Sequence, residues 1–370
     1  MIPANIEIGL ILIATAVACA LPGVFLVLRR MALLSDAIGH VLLLGIVLAF
    51  FITRDLHSIW LVVGAALTGL ATVALVETLK NSGYVKEDAA IGLVFPTLFS
   101  LGILLASLYL RNTHLDIDQV FFGIPELAPL NRFIVGVYDI GAHSLIVMAA
   151  MVLLNAAFIG IFFKELKLAT FDAPLAAALG FLPGLLHYGL MGLVSLTAVT
   201  AFEAVGPVLI VAFMVVPAAT AYLLTDRLSR MLLLSALLAA VGATLGTLVA
   251  LRLDTNIAGT VSTMLGLQFG LTFVLAPQRG LIVQAIRRWR RHREFFETML
   301  LIHLLQHEGT EAQIEESRVD RLHEHLRWKP RAVLEVVSRI LRKKLVVQEI
   351  SILQLTEVGR DRARRVIEVA

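Results

Sequence analysis

Two side chains able to bind a divalent cation, Asp36 and His40, stand four residues apart in Arg29-Arg30-Met31-Ala32-Leu33-Leu34-Ser35-Asp36-Ala37-Ile38-Gly39-His40. The stretch continues through residues 41–52 and is, from Met31 on, apolar and long enough to cross a bilayer. On a helix, i and i+4 point the same way. A carboxylate in hydrocarbon costs roughly 2.5–3.5 kcal/mol on insertion scales and rarely sits there without a task. A carboxylate oxygen beside an imidazole nitrogen is half of a transition-metal site. The competing reading makes Asp36 a helix-start cap and His40 a buried histidine bonded to a backbone carbonyl. Counting about 1.5 Å per residue from Arg30 puts His40 near mid-membrane.

A third ionisable group, Glu203, lies in Ala198–Leu224, which Gly206-Pro207 and Pro217 interrupt. Helix breaks at membrane depth are tolerated where protein or a water-filled cavity surrounds them, and transporters use them. Counted along its span, Glu203 falls at the outer end. It joins Asp36 and His40 only if those breaks draw it inward, and is otherwise an outer gate or an interfacial residue.

Residues 164–180 read as a loop holding one short helix. Thr170 or Asp172 can cap it, Pro174 suits its first turn and Gly180 can end it. Such a helix, too short to span and too apolar to float, needs a docking partner or the membrane surface. In the last quarter, His303 and His307 are also four apart, with His323 and His325 beyond them. No cysteine and no carboxylate at ligand spacing supports that group.

The elements that must position these residues are membrane spans. The chain has 370 residues and is 58% hydrophobic, against the roughly 45–50% of soluble domains. Its mean hydropathy is +0.87. Apolar runs near 6–28, 31–52, 58–79, 89–110, 139–163, 181–200, 204–224, 231–251 and 257–276 predict nine transmembrane helices. The first reads as a retained span, not a signal peptide. The single cysteine, Cys19, excludes an intrachain disulfide and cysteine metal clusters. Arg29, Arg30, Lys80, Lys86, Lys164, Lys167, Arg227 and Arg230 fall in one set of loops. Arg54, Arg111, Arg132 and Arg252 fall in the other. The richer set belongs in the cytoplasm, which puts the N-terminus outside and the C-terminus inside. The loop 111–139, with His114, Asp116, Asp118 and Glu126, is then external. Its Phe121-Phe122-Gly123 and prolines suggest a re-entrant or surface helix, and its acidic rim either attracts cations or is simply solvated.

The expected division is a transmembrane domain over 1–277, a basic juxtamembrane linker over 278–293 and a cytoplasmic domain over 294–370. Predicted helices near 294–307, 316–326 and 330–343, strands around 345–354 and a helix near 356–368 form a winged-helix pattern. Its third helix carries Arg331, Arg339, Arg342, Lys343 and Lys344, a charge suited to phosphate contacts. The alternative is a domain that contacts protein and has lost DNA binding. The chain holds no G-x-x-x-x-G-K-[ST], no H-E-x-x-H and no G-x-S-x-G, so nothing in it reads as catalytic.

Residues 28–45, Leu-Arg-Arg-Met-Ala-Leu-Leu-Ser-Asp-Ala-Ile-Gly-His-Val-Leu-Leu-Leu-Gly, resemble the signature of permease subunits of metal-type ABC importers, the zinc, manganese and iron-chelate permeases. Similar matches are Glu87-Asp88-Ala89-Ala90-Ile91-Gly92-Leu93-Val94-Phe95, Phe171-Asp172 with Ala176 and Gly180, Phe202-Glu203-Ala204-Val205-Gly206 and Val216-Pro217-Ala218-Ala219-Thr220-Ala221. Together they cover about residues 5–277. Gly39 and Leu44 depart from the commoner small-or-serine and proline residues, and neither change removes a ligand. The tail, through its helix order and Leu355-Thr356-Glu357-Val358-Gly359, resembles the DNA-binding half of iron- and manganese-dependent repressors.

The resemblance implies an all-α polytopic membrane protein of the bacterial cytoplasmic membrane with a small winged-helix tail. It implies a dimeric pore made with a second permease chain, identical or related. ATP hydrolysis falls to a separate cytoplasmic ABC ATPase, and an extracytoplasmic metal-binding protein delivers the ion. Asp36 and His40 then line the path of the transported metal. Phe171, Asp172, Ala176 and Gly180 form the ATPase-coupling helix. No permanently bound cofactor is expected. The cargo is a divalent transition metal, manganese ahead of zinc or iron. The rival function is a membrane-tethered, metal-responsive transcription regulator, and a third is an ion-coupled secondary carrier.

Overall fold

The structure is a computed structural model that describes residues 3–55, 58–109, 125–135 and 138–369. It divides into two compact units, Met1–Gly280 and Leu281–Ala370.

In the first unit, α1 (Ala4–Leu28), α2 (Ala32–Thr53), α3 (Ile59–Asn81) and α4 (Glu87–Tyr109) follow one another through short turns. A hairpin of β1 (Arg132–Val135) and β2 (Tyr138–Ala142) precedes α5 (His143–Ile161), α6 (Phe163–Phe171) and α7 (Ala173–Ala178). The unit ends with α8 (Pro183–Leu224), α9 (Leu228–Leu253) and α10 (Ile257–Leu275). Polar side chains start several helices: Ser58 Oγ accepts from the Trp60 N–H, and Asn256 Oδ1 from the Gly259 N–H. Among the described residues, nine segments are long and apolar enough to span, with α8 counted as Pro183–Phe202 and Ala204–Leu224. α1 is the most buried span and packs against α5, α8 and α9.

α8 is one run of helical hydrogen bonds broken at Gly206, whose φ of 73° and ψ of 167° lie outside helical space. A side chain there would be strained, and Pro207 has no N–H to continue the ladder. The arms on either side run in opposite directions. His187, early in the first arm, meets Arg29 just past the end of α1. Met214, well into the second, is back against Gly23 near that same end.

Small residues set the closest approaches, as they do between helices that gain nothing from expelling water. A methyl added at Gly45 would fall 2.5 Å from the Gly64 carbonyl oxygen and 2.6 Å from Ala65 Cα on α3. Both obstacles are backbone, so a side chain must part the helices. Gly45→Val is expected to destabilise the unit by about 1–3 kcal/mol, seen as a lower thermal unfolding temperature of the detergent-purified protein.

Three expectations need correction here. The span drawn from residue 139 begins at His143, because residues 138–142 pair with β1 instead. Glu7, buried on α1, fixes that hairpin: its carboxylate accepts from the Ala142 N–H at 3.1 Å and from Arg132 at 3.2 Å. Strands in this unit are also a departure from an all-helical membrane domain. Finally, residues 163–171 form a helix of their own, where a loop was expected. The re-entrant helix expected around Phe121-Phe122-Gly123, with His114, Asp116 and Asp118, lies outside the described residues. Glu126 accepts from the Ile257 N–H at 3.3 Å, which caps the start of α10.

The second unit holds α11 (Leu281–His307), two single turns, α12 (Gln313–Glu316) and α13 (Leu322–His325), then α14 (Pro330–Arg342), a hairpin of β3 (Val346–Glu349) and β4 (Ile352–Leu355), and α15 (Glu357–Val369). Arg318 bridges to Ile352 at the edge of the hairpin. The core is Leu300, Leu301 and Leu304 of α11 against Val333, Val336 and Ile340 of α14 and Leu353 of the hairpin. The basic run 287–293 lies within α11. No glycine or proline interrupts residues 281–307, and arginine, glutamate and leucine favour helix. The helix expected over 316–326 is two short turns, interrupted where residues 317–319 join the hairpin edge.

Arg360 donates to Glu308 at 2.6 and 3.0 Å and holds its carboxyl below the usual carboxylate range. Glu297 is 1% exposed and meets Lys343 at 2.6 Å and Arg339 at 3.7 Å. Two of the five basic residues assigned to phosphate contacts are therefore turned onto the unit's own buried carboxylate.

Candidate functional site

α2 begins at Ala32 with Met31 at its N-cap, so Asp36 caps nothing. Its carboxylate Oδ1 lies 3.5 Å from His40 Nε2 instead. The two side chains remain 47% and 26% exposed on an otherwise apolar helix. This is the pair read from the spacing, now on one face and in contact. The His40 ring packs against Phe95 and Phe99 of α4, with centroids 5.4 and 5.5 Å away. These rings confine the imidazole without consuming its nitrogens, and spacing alone did not single them out.

The α8 break adjoins the same turn of α2. A methyl on Gly39 would meet Pro207 Cβ at 4.0 Å, an ordinary contact. A helix break leaves backbone carbonyls without their usual partner, and here it stands beside the residue that precedes His40. The backbone of residue 203 lies in the last turn before this break. The Glu203 side chain lies outside what the structure describes.

At the other end of α8 the fold assembles a polar cluster that the sequence reading passed over. Arg29 donates to Thr170 Oγ1 of α6 at 3.2 Å and to His187 Nδ1 at 2.9 Å. His187 Nε2 is 2.6 Å from Glu77 Oε1 on α3. Lys80 and Glu87 close the α3–α4 turn at 2.5 Å. Arg29 and Thr170 were in view only as a topology charge and a possible cap. Glu77 and His187 have no local signature, since partners 110 residues apart meet only in the fold.

The cluster ties α6, and the short α7 behind it, to the ends of three spans. Asp172 is the cap of α7: its Oδ1 accepts from the Leu175 N–H at 3.0 Å, with Pro174 in the first turn. Gly180, at φ 86°, ends the element. Ala176 is fully buried, while Phe171 is 63% and Leu179 61% exposed. Of the four residues assigned to this helix, Asp172, Ala176 and Gly180 build and seat it, and Phe171 faces outward. Leu175 and Leu179 extend the apolar surface that Phe171 begins.

In the second unit, His303 and His307 gain the carboxylate partner that spacing did not offer. The chain turn after α11 brings Glu316 to them. His323 stays apart from this group and contacts Glu324.

The family model described as the ABC 3 transport family matches residues 5–276. The chain is 42% identical over 366 residues to the zinc transport system membrane protein TroD of Treponema pallidum, covering 99% of this chain and all of that one. It is 44% identical over 282 residues to the manganese transport system membrane protein MntD of Bacillus subtilis, covering 76% of this chain and 95% of that protein. Among solved structures, PsaBC from Streptococcus pneumoniae in complex with Fab is similar, with a TM-score of 0.62 and 29% identity over 74% of this chain and 92% of that one. These relatives are membrane components of transport systems, and they lend nothing to the tethered-regulator alternative. With a family match over residues 5–276 and a relative aligned nearly end to end, this chain belongs to the ABC 3 transport family.

Proposed function

We propose that this chain is the membrane-spanning subunit of an ABC importer that moves a divalent transition metal into the cytoplasm, manganese ahead of zinc or iron. The carrying observation is the Asp36–His40 pair. A carboxylate and an imidazole meet at 3.5 Å on a partly exposed face of a membrane helix, beside a break in the neighbouring one. One hard oxygen and one borderline nitrogen accept either manganese or zinc, and the relatives' names divide the same way. Glu203 is proposed as a third donor or an outer gate.

The exposed pair needs a second surface to enclose it. A second permease chain supplies that surface, and the metal path lies between them. A separate cytoplasmic ATPase docks on Phe171 and the α7 helix, and an extracytoplasmic binding protein delivers the ion. The basic loops support an N-terminus outside and a C-terminus inside the bacterial cytoplasmic membrane. The second unit is read as winged-helix-like. Its burial of Glu297 between Arg339 and Lys343 favours protein contact over DNA binding.

The test is uptake by the complex of permease, ATPase and binding protein in proteoliposomes, with manganese, zinc and iron in competition. ATP-dependent accumulation of a divalent metal supports the reading, and its absence with a folded, ATP-hydrolysing complex refutes it.

The tail gives a further expected result. The unit boundary falls at 280/281, so a cut at 294 would divide α11. Deletion of residues 281–370 should leave membrane insertion, and uptake within about twofold of the intact protein, since the first unit has its own core. Loss of the folded membrane unit on truncation, assayed by size-exclusion chromatography, would contradict this.

A further inference from the structure

We propose that His303, His307, Glu316 and His325 form a zinc-type metal site that clamps α11 to the α12–α13 segment, separate from the transport path and independent of the transport reading. His303, His307 and Glu316 place one donor atom each within 4.8 Å of one another. His303 Nε2 is 3.3 Å from Glu316 Oε2, and His325 Nδ1 is 3.0 Å from the same oxygen. Ligand bonds of about 2.0–2.2 Å at tetrahedral angles set donor atoms roughly 3.3–3.5 Å apart. Glu316 Oε2 already stands near that spacing from His303 and His325, while His307 closes from within 4.8 Å and His325 joins as fourth donor by side-chain rotation.

The hydrogen bonding prepares His307 for this. His307 Nδ1 lies 2.9 Å from the His303 carbonyl oxygen. A carbonyl only accepts, so Nδ1 carries the proton and Nε2 keeps its lone pair. Orientation of a ligand imidazole by a backbone carbonyl is the usual supporting arrangement in metal sites. His303 Nε2 also lies 3.1 Å from the Glu316 carbonyl oxygen. A metal would replace the proton in that contact, with the adjoining carboxylate balancing its charge. Three nitrogens and one oxygen favour zinc over manganese. The donors come from α11, α12 and α13, three pieces joined by turns, so occupancy would add a cross-link between α11 and a segment otherwise held through the hairpin edge and Leu322.

The experiment is a Co(II) titration of the full-length protein in detergent, followed by displacement with Zn(II). The expected result is the intense visible absorption of tetrahedral Co(II), bleached by Zn(II). It should be kept in the Asp36→Asn/His40→Ala protein and weakened at least about tenfold in affinity by His307→Gln or Glu316→Gln. His307→Gln is the variant that spares folding, since among the described residues the His307 side chain hydrogen-bonds to its own helix backbone. Zn(II) should also raise the unfolding temperature of the intact protein and leave that of His307→Gln unchanged. Co(II) absorption indifferent to both tail substitutions, or no tetrahedral absorption from a folded protein, would overturn the proposal.

Discussion

Asp36→Ala should lower metal uptake by at least about 100-fold, the upper end of what removing even a ligand's supporting partner costs, while the protein inserts normally. Removing a charge from a membrane helix helps insertion. The side chain caps nothing and its contact is His40, so alanine takes away a donor and little packing. His40→Ala should be milder and selective, reducing zinc transport more than manganese transport, because nitrogen donors matter more to zinc. It also leaves a space beside Phe95 and Phe99 that loosens the α2–α4 contact. Uptake of both metals, normalised to membrane abundance, separates the two effects: a purely structural histidine would change abundance and leave the metal preference alone.

Ala176→Arg should uncouple ATP hydrolysis from transport. Ala176 is fully buried in the seat of α7, and an arginine there must either lose its hydration or push the helix off its site. An uncompensated buried charge costs several kcal/mol, so the helix moves. Phe171→Ala with Leu179→Ala should instead leave α7 in place and weaken ATPase binding by roughly 30-fold, the 2 kcal/mol of a contact hot spot. Asp172→Ala removes only a cap bond of about 1 kcal/mol and should fall between them. ATPase co-purification and ATP consumed per ion transported are the measurements. Normal uptake with normal ATPase binding in Ala176→Arg would show that α7 is not the docking element.

Much of this arrangement was legible from local signals. Runs of apolar residues place the spans, and the i, i+4 spacing of Asp36 and His40 places them on one face. Asp172, Pro174 and Gly180 each signal a cap, a first turn and a stop within ten residues. Distant meetings were not legible. Nothing near Glu77 or His187 announces that Arg29 and Thr170 will join them, and nothing near His303 announces Glu316. The hairpin was missed for a different reason: residues 138–142 are too few and too mixed to separate from the apolar run that follows. The extent of α11 was missed because arginine reads as charge before it reads as helix former.

We propose that Asp36 and His40 together hold the metal in transit. The most direct test is ATP-driven metal uptake by the assembled transporter carrying Asp36→Asn and His40→Ala at once, with the amount of inserted protein and the ATPase activity measured in the same vesicles. Asparagine keeps the shape of Asp36 and removes its charge, so folding is spared. The expected result is near-background uptake of manganese and zinc with protein and ATP hydrolysis retained. Near-normal uptake by this double variant would contradict it.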